Sequence, residues 1–107
     1  MSNKVAFTMK LKPNVVDEYK RRHDEIWPEL VHLLQQQGIS DYSIFLDEPS
    51  LTLFAVQKVS SNTTSSNEKL REDEIMQRWR KYMADLMETN PDHSPVTREL
   101  KLVFHMD

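Results

Sequence analysis

The chain has no cysteine and a single glycine, Gly38, in 107 residues. The first absence excludes disulfides, thiol nucleophiles and cysteine-ligated metals. The second excludes the glycine-rich loops that cradle phosphates, and with them nucleotide sites of the usual kind. Basic charge is not in excess either: 14 Lys and Arg stand against 17 Asp and Glu, a net charge of −3. A nucleic-acid partner asks for a basic patch, so none is expected. No apolar run is long enough to cross a membrane, and Met1 to Val5 leads directly into a strand-like pattern. Neither a signal peptide nor a membrane span is expected, and the cytoplasm is the default location. Asn62-Thr63-Thr64 fits a glycosylation sequon, which without secretion carries no meaning. His23, His32, His93 and His105 are scattered, with no His-x-His or His-Glu-x-x-His spacing, so no metal is expected. No serine sits in a nucleophile elbow. The carboxylate pairs Asp24/Glu25 and Asp73/Glu74 are sequence neighbours, the pattern of solvated faces.

What is present belongs to one soluble globular domain spanning 1–107, with 38% hydrophobic and 29% charged residues. Val5, Phe7, Met9 and Leu11 alternate with Ala6, Thr8 and Lys10, the period of a half-buried strand. Pro13-Asn14 ends it, and Asn14 or Asp17 is placed to cap the helix that follows. That helix carries Val15, Tyr19, His23, Ile26/Trp27 and Leu30 along one stripe, with Arg22 beside His23. Pro28 predicts a kink or break near Ile26-Trp27, and Gly38 predicts a left-handed helix stop. From Ile39 to Leu46 the period is two again, with Tyr42, Ile44 and Leu46 on one face and Ser43 and Phe45 on the other. Asp47-Glu48-Pro49-Ser50 is a turn, and 51–59 the returning strand of a hairpin. Residues 60–67 are rich in Ser, Thr and Asn and predict an exposed loop. A helical pattern begins at Glu68, and Ile75, Met76, Trp79, Tyr82, Met83, Leu86 and Met87 trace its apolar stripe. Asn90-Pro91-Asp92-His93-Ser94-Pro95 ends it as a rigid loop. Leu100, Leu102 and Phe104 alternate with Lys101, Val103 and His105 in a last strand.

The order β-α-β-β-α-β predicts an α+β, ferredoxin-like fold: one antiparallel sheet with its helices on one face. Nothing in so short a chain covers the other face. A second copy is the simplest cover, which predicts a homodimer packed sheet to sheet or around a shared barrel.

The residues left to carry chemistry are His23 with Tyr19, Tyr42 on the hairpin, and Trp79 and Tyr82 on the second helix. An imidazole gives and takes protons near neutral pH without special tuning. Phenols orient hydroxylated substrates, and an indole offers the flat apolar face on which a sugar ring stacks. An aromatic pocket with one imidazole suits a small neutral polyol. The same spacings also fit a core-edge tyrosine, a satisfied histidine and plain core aromatics.

Five stretches then resemble one family in the right order along nearly the whole chain. They are Tyr19-Lys20-Arg21-Arg22-His23, Ile26-Trp27-Pro28-Glu29-Leu30, Asp41-Tyr42-Ser43-Ile44, Gln77-Arg78-Trp79-Arg80-Lys81-Tyr82-Met83, and Asn90 to Val96. Together they resemble the L-rhamnose mutarotases. The resemblance implies a cofactor-free epimerase acting at the anomeric carbon of L-rhamnose, built as a dimeric ferredoxin-like α+β barrel. It implies His23 as the catalytic proton donor, and Tyr19, Tyr42 and Trp79 as substrate contacts. Where the family often has a second tryptophan, this chain has Arg80. Neighbouring helix positions point about 100° apart, so Arg80 either binds hydroxyls in place of an aromatic wall or faces solvent. Two other readings fit a dimeric α+β barrel: a small cofactor-independent monooxygenase, and a sugar-binding dimer without catalysis.

Overall fold

The computed structural model describes residues 2–60 and 73–107. The loop expected over 60–67 falls almost wholly outside the described residues, as do the sequon at Asn62 and the helical start at Glu68. The remainder runs β1 (Ser2–Lys10), α1 (Val16–Asp24), α2 (Pro28–Gln36), β2 (Ile39–Asp47), β3 (Thr52–Ser60), α3 (Glu74–Met83), a 3₁₀ turn (Ala84–Leu86) and β4 (Arg98–Glu99). The four strands form one sheet in the order β2-β3-β1-β4, every neighbouring pair antiparallel. This is the ferredoxin-like arrangement.

The register shows how the sheet divides its faces. Met9 pairs with Leu53, Phe7 with Ala55 and Val5 with Gln57, and on the other side Ile44 pairs with Ala55 and Leu46 with Leu53. Met9, Leu53 and Ala55 are buried, with Leu11, Leu30, Leu33, Trp79, Met83 and Leu86 packed with them into one core. The opposite face carries Ala6, Thr8, Phe45, Phe54 and Val56. Phe45 is 63% exposed there.

β2 keeps its apolar residues inward only by a local irregularity. Ser40 pairs with Lys58 and Ser43 with Val56, so Asp41 and Tyr42 together stand opposite the single residue Gln57. Two residues facing one is a β-bulge. Strict alternation from Ile39 would send Tyr42 outward. The extra residue reverses the phase and turns Tyr42, Ile44 and Leu46 toward the helices. Asp41 takes the left-handed backbone the bulge demands, with φ 47°, a conformation Asp tolerates better than most side chains.

Pro28 acts as the sequence suggests, by breaking the helix outright. α1 ends at Asp24, and Pro28 becomes the first residue of α2, where its missing N–H would have had no partner in any case. Gly38, at φ 83°, is the left-handed stop after α2. Asp73 caps α3, its carboxylate accepting from the Ile75 amide at 2.8 Å.

Four expectations need correction. Neither Asn14 nor Asp17 caps α1. Val15 holds the cap position, with no side-chain bond to the exposed amides, because Asn14 is turned into a left-handed conformation (φ 66°). The second helix ends at Met83, and Leu86 and Met87 join the core from the tighter turn beyond it. Tyr82 is not in the buried core but 39% exposed at its edge. The last strand is only two residues long: Arg98 and Glu99 pair with Thr8 and Phe7, and the Leu100 amide reaches the Ala6 carbonyl at 3.0 Å. Beyond that point residues 100–107 are exposed. A strand needs a neighbouring ladder or an apolar surface to lie on, and among the described residues of one chain this segment finds neither.

Candidate functional site

Between the sheet and the helices lies an open cavity of about 670 Å³, within the range of small-molecule sites. Tyr19, His23, Tyr42, Trp79 and Arg80 all line it. The five candidates come from three elements, and the fold brings all of them to one cavity.

α1 supplies Tyr19 and His23 one turn apart, their ring centroids separated by 4.4 Å. The Nδ1 of His23 lies 3.1 Å from the Tyr19 carbonyl. A carbonyl can only accept, so this contact places the neutral ring's proton on Nδ1 and leaves Nε2 as a lone pair. Trp79, from α3, meets the imidazole in an edge-on contact at 5.4 Å. Trp79 is itself braced by Trp27 at 5.2 Å and by Tyr82 at 5.8 Å, and Trp27 stacks on Tyr82 at 5.7 Å. An indole held by two further rings has little freedom to turn.

The electrostatics follow from burial. Desolvation pushes the His23 pKa below 6.5, although the Tyr19 carbonyl and Asp24 pull the other way. Removal from water outweighs both, so the ring rests neutral at neutral pH. Burial also raises the Tyr19 phenol, with Tyr42 adding to the effect. Tyr42 is 39% exposed as a residue, but its hydroxyl is the enclosed part, and burial pushes its pKa up to about 12. Both phenols therefore stay protonated and act as hydrogen-bond donors.

Arg80 lies on the cavity wall, half-buried, and does not project into solvent. Its positive charge opposes the rise at Tyr42. It also helps hold Asp92 below the usual carboxylate range, an effect owed first to hydrogen bonds from Ser94.

The far wall is the loop after the 3₁₀ turn, which the sequence marks as rigid without marking it as part of a site. Thr89, Asn90, Asp92, His93 and Ser94 all line the cavity. The loop is closed on itself: the Asn90 amide donates to the Ser94 carbonyl at 2.8 Å, and the Ser94 amide to Asp92 at 3.0 Å. Gln57, opposite the bulge, also lines the cavity, and nothing in the sequence marks it. The available signal for the loop was its dense polar content between two prolines, directly after an aromatic helix. Among the described residues, no group of three or more His, Asp or Glu is placed to hold a metal ion, and no helix is long and apolar enough to cross a membrane.

Chemically, the helix and hairpin side offers in His23 a proton acceptor that becomes a donor once charged, two neutral phenols and a flat apolar face, with Asp92 and His93 on the loop across the cavity. That set can move a proton between neighbouring oxygens of a neutral molecule.

Comparison with known proteins gives a consistent result. A family model described as L-rhamnose mutarotase matches residues 4–106. A curated L-rhamnose mutarotase from Flavobacterium johnsoniae is 56% identical over 102 residues, which cover 95% of this chain and 94% of that one. Another from Brucella anthropi is 52% identical over 101 residues, covering 94% and 93%. The crystal structure of an L-rhamnose mutarotase from Formosa agariphila matches with a TM-score of 0.89 at 48% identity, over 98% of this chain and 99% of that one. An antibiotic biosynthesis monooxygenase matches with a TM-score of 0.59 at 15% identity, over 96% and 99%. That likeness is one of fold alone.

Proposed function

The chain belongs to the L-rhamnose mutarotase family, and from that membership we propose that it is an isomerase interconverting the α and β anomers of L-rhamnose. The observation that carries the reading to chemistry is His23: neutral, with Nδ1 engaged and Nε2 left as a lone pair, on an aromatic cavity wall. In the ring-closed sugar, Nε2 takes the proton from the anomeric hydroxyl. The C1–O5 bond breaks, its electron pair stays on O5, and C1 becomes an aldehyde. The imidazolium then returns the proton to O5. Rotation about C1–C2 and the reverse sequence on the other face give the second anomer. Atoms and charge balance without a cofactor. His23 is thus the proton donor only after it has been the acceptor.

Trp79 supplies the face for the C–H side of the sugar, and Tyr19, Tyr42 and Arg80 hold its hydroxyls. The monooxygenase alternative has only the shared fold behind it. Saturation-transfer NMR on the anomeric protons of L-rhamnose tests the reading. Faster exchange with catalytic amounts of protein supports it, and binding without faster exchange leaves a sugar-binding protein instead.

The working unit is a homodimer in the cytoplasm. Support comes from the outward sheet face, where Phe45 pairs with Phe54 beside Ala6 and Val56, and from the exposed Leu102, Val103, Phe104 and Met106. Apolar surface of this kind marks an association site. Sedimentation at micromolar concentration should give twice the chain mass, and Phe45→Glu with Phe54→Glu should give the single mass. A wild-type protein that sediments as a monomer with full activity would rule the dimer out.

A further inference from the structure

The helix that carries His23 is weakly fastened by its own backbone. Its cap, Val15, makes no side-chain bond, and among the described residues no other element packs its backbone extensively against α1. Nine residues are too few for a helix to persist on its own account. Its position must be set by side chains: Tyr19 lies in the core, Val15 and Val16 pack against it, and Arg22 reaches across to α3.

Arg22 makes the longer reach. Its side chain is only 12% exposed, although an arginine on a short surface helix would ordinarily be solvated. Nε donates to Glu18 on the preceding turn at 2.7 Å. Nη1 donates to the Tyr82 carbonyl at 2.7 Å and to Asp85 at 2.9 Å. The guanidinium carbon lies 4.5 Å from the centre of the Tyr82 ring. Tyr82, one helical turn beyond Trp79, lies near the end of α3, and Asp85 lies in the 3₁₀ turn after it. Trp79 in turn meets the edge of His23. The contacts therefore close a circuit: His23, its chain neighbour Arg22, Tyr82, Trp79, and back to His23.

We propose that Arg22 is a positioning residue for anomer exchange: it clamps the end of α1 to the end of α3 and so sets the imidazole against the indole wall. The proposal rests on His23 being the proton-transfer group. A guanidinium suits the task because its planar fork can bond in three directions while its face covers a ring. A lysine has one point of charge and cannot do both. Displacement of a reacting group by about 1 Å can cost up to a hundredfold in rate, so a clamp some distance from the substrate can act on turnover.

A simple contribution to stability would look different from positioning, and a double-mutant cycle separates them. Anomer-exchange kcat and KM are measured for wild type, Arg22→Met, Arg22→Lys, His23→Asn and the two doubles, well below each melting temperature. Arg22→Met should lower kcat roughly tenfold with KM within about twofold, and Arg22→Lys should recover only part of that. In the His23→Asn background the same Arg22 changes should cost less than about twofold, because the group being positioned is gone. If Arg22→Met does not fold, the Arg22→Lys arm of the cycle decides alone. An Arg22 effect of equal size in both backgrounds, an effect confined to KM, or an unchanged kcat would overturn the proposal. If His23→Asn alone retains wild-type exchange, the reading of His23 fails and the proposal falls with it.

Discussion

Replacing His23 with asparagine should slow anomer exchange by roughly a hundredfold or more, the scale expected when a general acid–base group is lost, while the chain stays folded. The asparagine amide can still donate to the Tyr19 carbonyl, so the end of α1 keeps its local bond and only the proton shuttle is removed. Exchange is read by saturation transfer and folding by circular dichroism. A folded variant with near-normal exchange would take His23 out of the mechanism. The substitution also has a pH signature, and its sign follows from burial. Above about 6.5 the imidazole is neutral in both folded and unfolded chains, so the full stability is present. As pH falls below that value the unfolded chain takes up the proton first, and stability drops until the depressed folded pKa is passed. The wild-type melting temperature should thus fall between pH 7 and 5 by more than that of His23→Asn. Wild-type exchange should hold below pH 6.5 and decline only when the folded imidazole charges. Parallel acid limbs in the two melting profiles would show that His23 is not the buried titrating group.

Trp79 should show the largest effect on stability. At 8% exposure and in contact with three other rings, it is an anchor of the core. Trp79→Ala should cost about 3–5 kcal/mol, the range for emptying a large aromatic site. That is a large share of what a domain of this size possesses. Trp79→Phe is the informative variant, since it keeps an aromatic face and loses indole area and the N–H donor. If the indole is the sugar platform, Trp79→Phe should raise KM several-fold with only a modest drop in melting temperature. A lower melting temperature with unchanged KM would make Trp79 core alone, and α3 would no longer be a wall of the site.

The elements that sequence reveals well here are those whose cause is local. The alternation of β1, the break before Pro28 and the stop at Gly38 each follow from two or three residues, and each stands where expected. The failures are of another kind. Asn14 and Asp17 have the chemistry of a cap, but the turn leaving β1 rotates Asn14 into left-handed backbone and gives the cap position to Val15. Leu100, Leu102 and Phe104 alternate as a strand does, but alternation supplies no neighbour to pair with. Of the cavity lining, His23, Tyr19, Tyr42 and Trp79 stood out as polar-tipped or aromatic groups, but pattern alone left them open between site and core, and only the folded chain brings them to one cavity. The loop from Thr89 to Ser94 did not stand out, because polar residues between prolines look the same whether they face water or a cavity. Arg80 was ambiguous for a similar reason: helical phase gave its direction only within a wide arc, and the fold places it on the cavity.

The bulge at Asp41 makes β2 a strand whose reading frame matters. Everything after it, Tyr42 included, is in phase with the cavity because one extra residue was counted in. Deleting Asp41 would leave composition, charge pattern and hydrophobic content almost untouched and would remove the bulge without exchanging faces: Ile39, Tyr42, Ile44 and Leu46 would then alternate regularly on the inner side. Phe45 would stay on the outer face, and the Tyr42 phenol would stay on the cavity side opposite Gln57. The bulge is therefore the point at which this strand can lose a single residue and still keep each side chain on the side of the sheet it serves.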